Sequence, residues 1–208
     1  MTRERWLLAA ILGVGLLLRL TYLLEIVRTP DFDLPQFEAQ YHDYWARALL
    51  SGDWTPPEGV TDPEIPQRPY FRPPGYPFVL AGIYSVAGPS YLWPRVLQML
   101  LGLASCLLLF SLTRFAFGTP PALFAAALAA VYWLFIFFEG ELMAVGLLIF
   151  LLLAILRLAA SWSQAFTVQR ALVTGLLLGV AVLVRPNAAA LAPVLVLWAG
   201  WLAWRRGG

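Results

Sequence analysis

Glu38 and His42 stand four residues apart in E-A-Q-Y-H-D-Y-W, with Tyr41 just ahead of the histidine. On a helix such an i,i+4 pair shares a face, which sets a carboxylate beside the chain's single imidazole. Histidine is the side chain whose ordinary pKa lies nearest neutrality, so either partner has the chemistry of a proton acceptor. Arg72 precedes Pro73-Pro74, and Arg185 precedes Pro186. A guanidinium forms paired hydrogen bonds with a phosphate or a carboxylate. The plainer reading of each is a side chain snorkelling toward lipid headgroups. Glu139 and Glu141 complete the set, in F-F-E-G-E-L-M. Two carboxylates there can simply mark a turn facing water, but ionisable groups at membrane depth are costly enough to be functional candidates.

Composition decides what kind of element carries these side chains. The chain is 61% hydrophobic, 14% aromatic and 12% charged, where a soluble domain carries about 25% charged residues. With a mean hydropathy of +0.74, this excludes a soluble globule, a disordered chain and a nucleic-acid binder. One cysteine, Cys106, and one histidine exclude a disulfide framework, a zinc cluster and a Cys/His nucleophile pair.

Apolar runs long enough to cross a bilayer lie at 6–27, 91–113, 120–138, 142–160, 168–184 and 187–204. The first follows Arg3 and Arg5, shows no small-x-small cleavage site, and reads as a retained signal anchor. Residues 73–88 offer about a dozen apolar positions after their prolines, too few to cross. If that segment stays on one side, Arg114, Arg157, Arg170, Arg205 and Arg206 fall on the cytoplasmic side with the N-terminus. The acidic loop 28–72 and Glu139/Glu141 then fall outside, as the positive-inside rule requires. The expectation is an all-α polytopic membrane protein of about six transmembrane helices, with both termini inside.

The outer loop, 28–89, is expected to hold interfacial helices at about 35–51 and 74–88. Asp33 can cap the first, Pro35 fits its first turn, and Gly52 stops it. Phe37, Tyr41, Tyr44, Trp45, Ala48 and Leu49 form one apolar stripe, turned toward lipid or bundle. Glu38, His42, Asp43 and Arg47 lie off it. Residues 53–72, rich in proline and acids, read as an irregular cover. Arg19 and Glu25 lie on different faces of the first span and do not pair with each other. Arg95 reads as the outer end of its helix.

The order of a single span, the motif E-A-Q-Y-H-D-Y-W-A-R-A-L-L-S-G-D-W, then Y-F-R-P-P-G-Y-P, and a second acidic turn resembles a known family. It is similar to the N-terminal half of the polytopic C-superfamily glycosyltransferases, of the protein O-mannosyltransferase and aminoarabinose-transferase type. The resemblance implies that Glu38 is the catalytic base, with Phe37 where many members have Asp. It assigns Arg72 to the lipid phosphate, matches the second acidic turn to Glu139 and Glu141, and sets Arg185-Pro186 at a later outer turn. Tyr41 and His42 join these as substrate-binding candidates, with His42 also the rival base.

The implied reaction moves a hexosyl or pentosyl group from a polyprenyl-phosphate donor to a hydroxyl of a lipid, glycan or protein acceptor. Its place would be the outer face of a bacterial cytoplasmic membrane. No cofactor is implied; Glu139 or Glu141 would position the acceptor or, as a lesser alternative, a divalent ion. An interfacial carboxylate can have its pKa raised toward usefulness as a base. Family members are usually longer, so the chain is expected to be a fragment whose activity alone is in doubt. A transporter or lipid-handling module, or a non-catalytic membrane partner subunit, are the alternative readings.

Overall fold

A backbone in hydrocarbon has no water to bond, so apolar runs like these must satisfy their amides internally, as helices. The computed structural model describes residues 3–68 and 71–207, and every regular element in them is helical. Tyr70 of the Tyr-Phe-Arg-Pro-Pro motif and the side chain of Arg206 lie outside the described residues. In order, the helices are α1 (Arg3–Ile26), α2 (Glu38–Ser51), α3 (Glu64–Gln67), α4 (Gly75–Ala87), α5 (Leu92–Phe117), α6 (Thr119–Val131), α7 (Trp133–Gly140), α8 (Val145–Ser161), α9 (Val168–Val184) and α10 (Leu191–Gly207). Short 3-10 turns at Pro30–Phe32 and Pro186–Ala190 follow α1 and α9. This is an all-α polytopic membrane protein, with α5 at its centre against α1, α6, α7 and α8.

The helices α1, α5 and Pro186–Arg205 are long and apolar enough to cross a membrane. The run 120–138, expected as one straight span, is instead α6 and α7 bent by 47° about Tyr132. The helices α8 and α9 have 17 residues each. At 1.5 Å per residue they reach about 25 Å, the lower end of what crosses a bilayer.

The polar contacts sort to two ends of the bundle. At one, Glu4 pairs with Arg114 at 2.6 Å, Arg157 donates to Ser111, and Arg170 donates to the carbonyls of Ser161 and Ala165. At the other lie α2, α4 and the Glu139–Glu141 turn. Both ends of α4 stay there. Gly75 touches the backbone of Leu183 and Val184, where an added Cβ would come within 2.6 Å, and the Tyr84 hydroxyl donates to Asp43 of α2. At 13 residues α4 is shorter than the roughly 20 that a span needs.

Inside the bundle, Arg19 donates to both carboxylate oxygens of Glu139, at 2.6 and 2.7 Å, and to the carbonyls of Gly15 and Ala130. Both side chains are buried, at 1% and 3% exposure. Gly102 leaves room for the carboxylate, since a Cβ there would lie 1.9 Å from Glu139 Oε1. The break at Tyr132, whose backbone is extended, frees carbonyls of α6, and the Ala130 carbonyl is one that Arg19 takes. Periodicity alone does not show this pairing, because the partners are 120 residues apart.

Two predictions follow from this architecture. In a Cys106→Ala background, cysteines at Glu58 and Asn187 should react with an impermeant thiol reagent from one side of the membrane. A cysteine at Gln164 should react from the other; labelling of Glu58 and Asn187 from opposite sides would mean that 73–88 crosses. Glu139→Ala strands a guanidinium in the bundle and should cost about 3–5 kcal/mol, read as thermal unfolding in detergent. Replacing both charges, Arg19→Met with Glu139→Leu, should be less destabilising than that single change; the opposite order would show that the two are not coupled.

Candidate functional site

The site is built on α2. Its expected start near Pro35 is corrected: Asp33 closes the Pro30–Phe32 turn, and the helix begins at Glu38. Phe37 precedes it with a left-handed φ of 51°, a conformation uncommon outside glycine. Its N–H donates to Thr61 Oγ1 in the cover segment, which fixes the turn. Phe37 itself is 65% exposed and not part of a buried stripe.

The stripe also faces a different neighbour than expected. Tyr41, Tyr44 and Trp45 pack with Ile65 and Trp54 of the cover, while Leu49 packs on the bundle core. Ala39 and Ala46 pack with Tyr76, Leu80 and Tyr84 of α4. His42 and Asp43 are buried on that second side. Asp43 accepts from Arg47 at 2.8 Å and from the hydroxyls of Tyr84 and Tyr91, so its charge is fully engaged and joins α2 to α4 and α5.

At the start of α2, Glu38 Oε1 lies 3.6 Å from His42 Nε2 and 3.6 Å from an Arg185 terminal nitrogen. Both distances are too long for hydrogen bonds but close enough for electrostatic pairing. His42 is 3% exposed, neither ring nitrogen has a hydrogen-bond partner, and its ring edge meets Tyr76. Arg72 Nη1 lies 2.5 Å from Asp62 Oδ2, its guanidinium covers the Tyr41 ring at 4.9 Å, and its backbone N–H donates to the Tyr41 hydroxyl. Asp62 is 1% exposed. Gln40 Oε1 accepts from Thr61 and Asp62, tying the cover to α2.

Two clefts meet at Glu38 and Arg72. The narrower, about 340 Å³, is lined by Glu38, His42, Arg72, Arg185, Pro186 and Asn187. The wider, about 780 Å³, adds Phe32, Phe37, Phe137, Phe138 and Glu141. Of the two acids in the second turn, only Glu141 lines this wider cleft; Glu139 points into the bundle toward Arg19. Arg95, expected as a helix-end marker, is buried and donates to the carbonyls of Gly140 and Phe32. Gln98 donates to the Glu139 and Glu141 carbonyls and accepts from Tyr76. Asp62, Arg95 and Gln98 were not among the expected site residues; Asp62 acts through Arg72 across an irregular segment, and Arg95 and Gln98 act through partners distant in sequence.

The nearness of His42, followed by the Arg185 and Arg72 guanidiniums, holds the Glu38 carboxyl below its ordinary 4.5 despite partial burial. This corrects the expected rise. Burial pushes His42 below 6.5, outweighing the pull of Glu38 in the other direction. At neutral pH the pair is therefore a carboxylate beside a neutral imidazole. With two guanidiniums at the same cleft, the arrangement can bind a phosphate, accept a proton and orient hydroxyls.

Residues 71–207 match the family described as dolichyl-phosphate-mannose-protein mannosyltransferase. The matched segment contains Arg72, Glu139, Glu141 and Arg185; Glu38, Tyr41 and His42 precede it. No curated protein and no solved structure matches the chain.

The two shifts set different acid windows. His42, lowered in the folded state, contributes no penalty above 6.5 and an increasing one as pH falls below it, because the unfolded chain takes up the proton first. Glu38, also lowered, stabilises above 4.5, and that contribution is lost as pH falls through its folded value. His42→Gln should thus flatten the fall of melting temperature that begins near pH 6.5 and, because His42 is the first of the groups that lower Glu38, weaken without abolishing the fall below 4.5. An unchanged upper window would place the transition on another group, since the chain has one histidine.

Proposed function

The chain belongs to the dolichyl-phosphate-mannose-protein mannosyltransferase family and is a membrane glycosyltransferase, and from that premise we propose that it moves a sugar from a polyprenyl-phosphate donor to an acceptor hydroxyl at the end of the bundle holding α2. The observation that carries this reading is the meeting of two clefts at one carboxylate, with two guanidiniums on the narrower side. The donor phosphate would sit between Arg72 and Arg185 in the narrower cleft. The acceptor would enter the wider one, beside Glu141. Arginines at the opposite end, with Arg114 paired to Glu4, support placing the site on the outer face of a bacterial cytoplasmic membrane.

In this reaction the acceptor hydroxyl gives its proton to Glu38 as its oxygen bonds to the anomeric carbon of the sugar. The bond from that carbon to the phosphate oxygen breaks, and its electron pair leaves on the lipid phosphate. Two guanidiniums aimed at the leaving oxygens stabilise the charge as it develops. Glu38 is already ionised when the acceptor arrives. His42, buried and neutral, is the weaker candidate for the base, because its surroundings oppose the imidazolium that proton uptake would create.

General-base assistance is typically worth about 10²–10⁴ in rate. Glu38→Gln should cost about that much turnover of a polyprenyl-phosphate mannose donor, with no loss of donor affinity, and His42→Gln should cost far less. The assay is transfer in lipid nanodiscs, with donor consumption followed over time. Wild-type turnover by Glu38→Gln, or a dead His42→Gln beside an active Glu38→Gln, would remove Glu38 from the role.

A further inference from the structure

The two arginines at the narrower cleft are held in unequal ways. Arg72 is fixed from behind by buried Asp62, from below by the Tyr41 ring, and through its backbone by the Tyr41 hydroxyl. The Arg185 guanidinium has one partner among the described residues, Glu38 at 3.6 Å, and is 40% exposed. Its backbone is extended between the end of α9 and Pro186, so the side chain hangs over the cleft from a fixed anchor. A phosphate entering there meets one guanidinium held by buried Asp62 and the Tyr41 ring and one held only by Glu38 at 3.6 Å.

We propose that Arg185 is a movable counterion that exchanges partners during the reaction. In the free protein it pairs with Glu38; when the donor binds, its guanidinium turns to the phosphate and leaves Glu38 facing neutral His42. This inference rests on the proposed donor site. It adds an order, in which the donor binds first and the acceptor meets a carboxylate released from its cation. Loss of the Arg185 pairing and the arrival of a phosphate anion both favour protonation of Glu38. The carboxylate thus becomes a stronger base only in the complex that needs one. The charged and titratable groups facing Glu38 are His42 on its own helix, Arg185 after α9 and Arg72 before α4, with Asp62 behind Arg72 and Asp31, Arg95 and Glu141 around the wider cleft.

Donor affinity tests the exchange separately from catalysis. If Glu38 competes with the phosphate for Arg185, Glu38→Gln should bind dolichyl-phosphate mannose more tightly, by about fivefold for a half-exposed pair. Removing a negative charge near a phosphate could give the same gain without any exchange, so the test is a double-mutant cycle. The gain from Glu38→Gln should vanish in an Arg185→Gln background and persist in an Arg72→Gln background, because Arg72 is held by Asp62 instead. Equal affinities of wild type and Glu38→Gln would overturn the proposal. So would a gain that survives in Arg185→Gln. Turnover by Glu38→Gln is read in a different assay and bears on the base assignment, not on the exchange.

Discussion

A guanidinium in the middle of a membrane-spanning helix must be neutralised and its N–H groups satisfied, because each ion taken from water costs several kcal/mol. Arg19 meets that demand with Glu139, and much of the outer architecture follows from where the carboxylate has to be. Two bonds to Glu139 and one each to Gly15 and Ala130 engage four of its five N–H groups. To present the Ala130 carbonyl the helix breaks at Tyr132, and to admit the carboxylate α5 carries Gly102. Gly140 must then lie against Tyr22, where an added Cβ would come within 2.4 Å. The turn that delivers Glu141 to the wider cleft is therefore positioned from inside the bundle.

From that turn the bonding continues outward. Gln98 takes the Glu139 and Glu141 carbonyls with its amide nitrogen and gives its oxygen to the Tyr76 hydroxyl. Tyr76 is fully packed in α4 and presents its ring to His42. Arg95 holds the Gly140 carbonyl on one side and the Phe32 carbonyl on the other, joining the turn to the segment that leads into α2. A buried polar network specifies one arrangement when its members are satisfied. Here it links a charge pair at membrane depth to Tyr76, whose ring packs against His42 of α2.

The sequence disclosed the elements better than it disclosed their partners. Segment 74–88 contains the helix Gly75–Ala87, and the i,i+4 pairs Glu38–His42 and Asp43–Arg47 both form. These depend on local spacing, which a sequence displays. That Tyr41, Tyr44 and Trp45 meet residues 54–65 was not legible, because an aromatic stripe does not say what covers it. Its cover is the proline-rich loop, anchored by Gln40, Thr61 and Asp62. The roles of Arg19, Arg95 and Gln98 were hidden for a related reason, since their bonds to the Glu139–Glu141 turn span 41 or more residues and several end on a backbone carbonyl, which carries no side-chain signature. Glu139 and Glu141 look equivalent two residues apart, yet the end of α7 turns one inward and the other to the cleft.

Why Glu38 stays ionised follows from the same layering. A carboxylate half-removed from water drifts toward its neutral form unless nearby groups favour the charge. The cover sets Arg72 beside it through Asp62, the end of α9 supplies Arg185, and α2 supplies His42, so three separate elements hold one charge in place. The imidazole is denied that help: it is nearly fully buried, flanked by Tyr76, and faces the same two cations. Burial and local charge thus drive the two members of one helical pair to opposite states, one ionised and one neutral. Two groups with ordinary pKa values only two units apart, 4.5 and 6.5, are assigned different work by the elements packed around them rather than by their own chemistry.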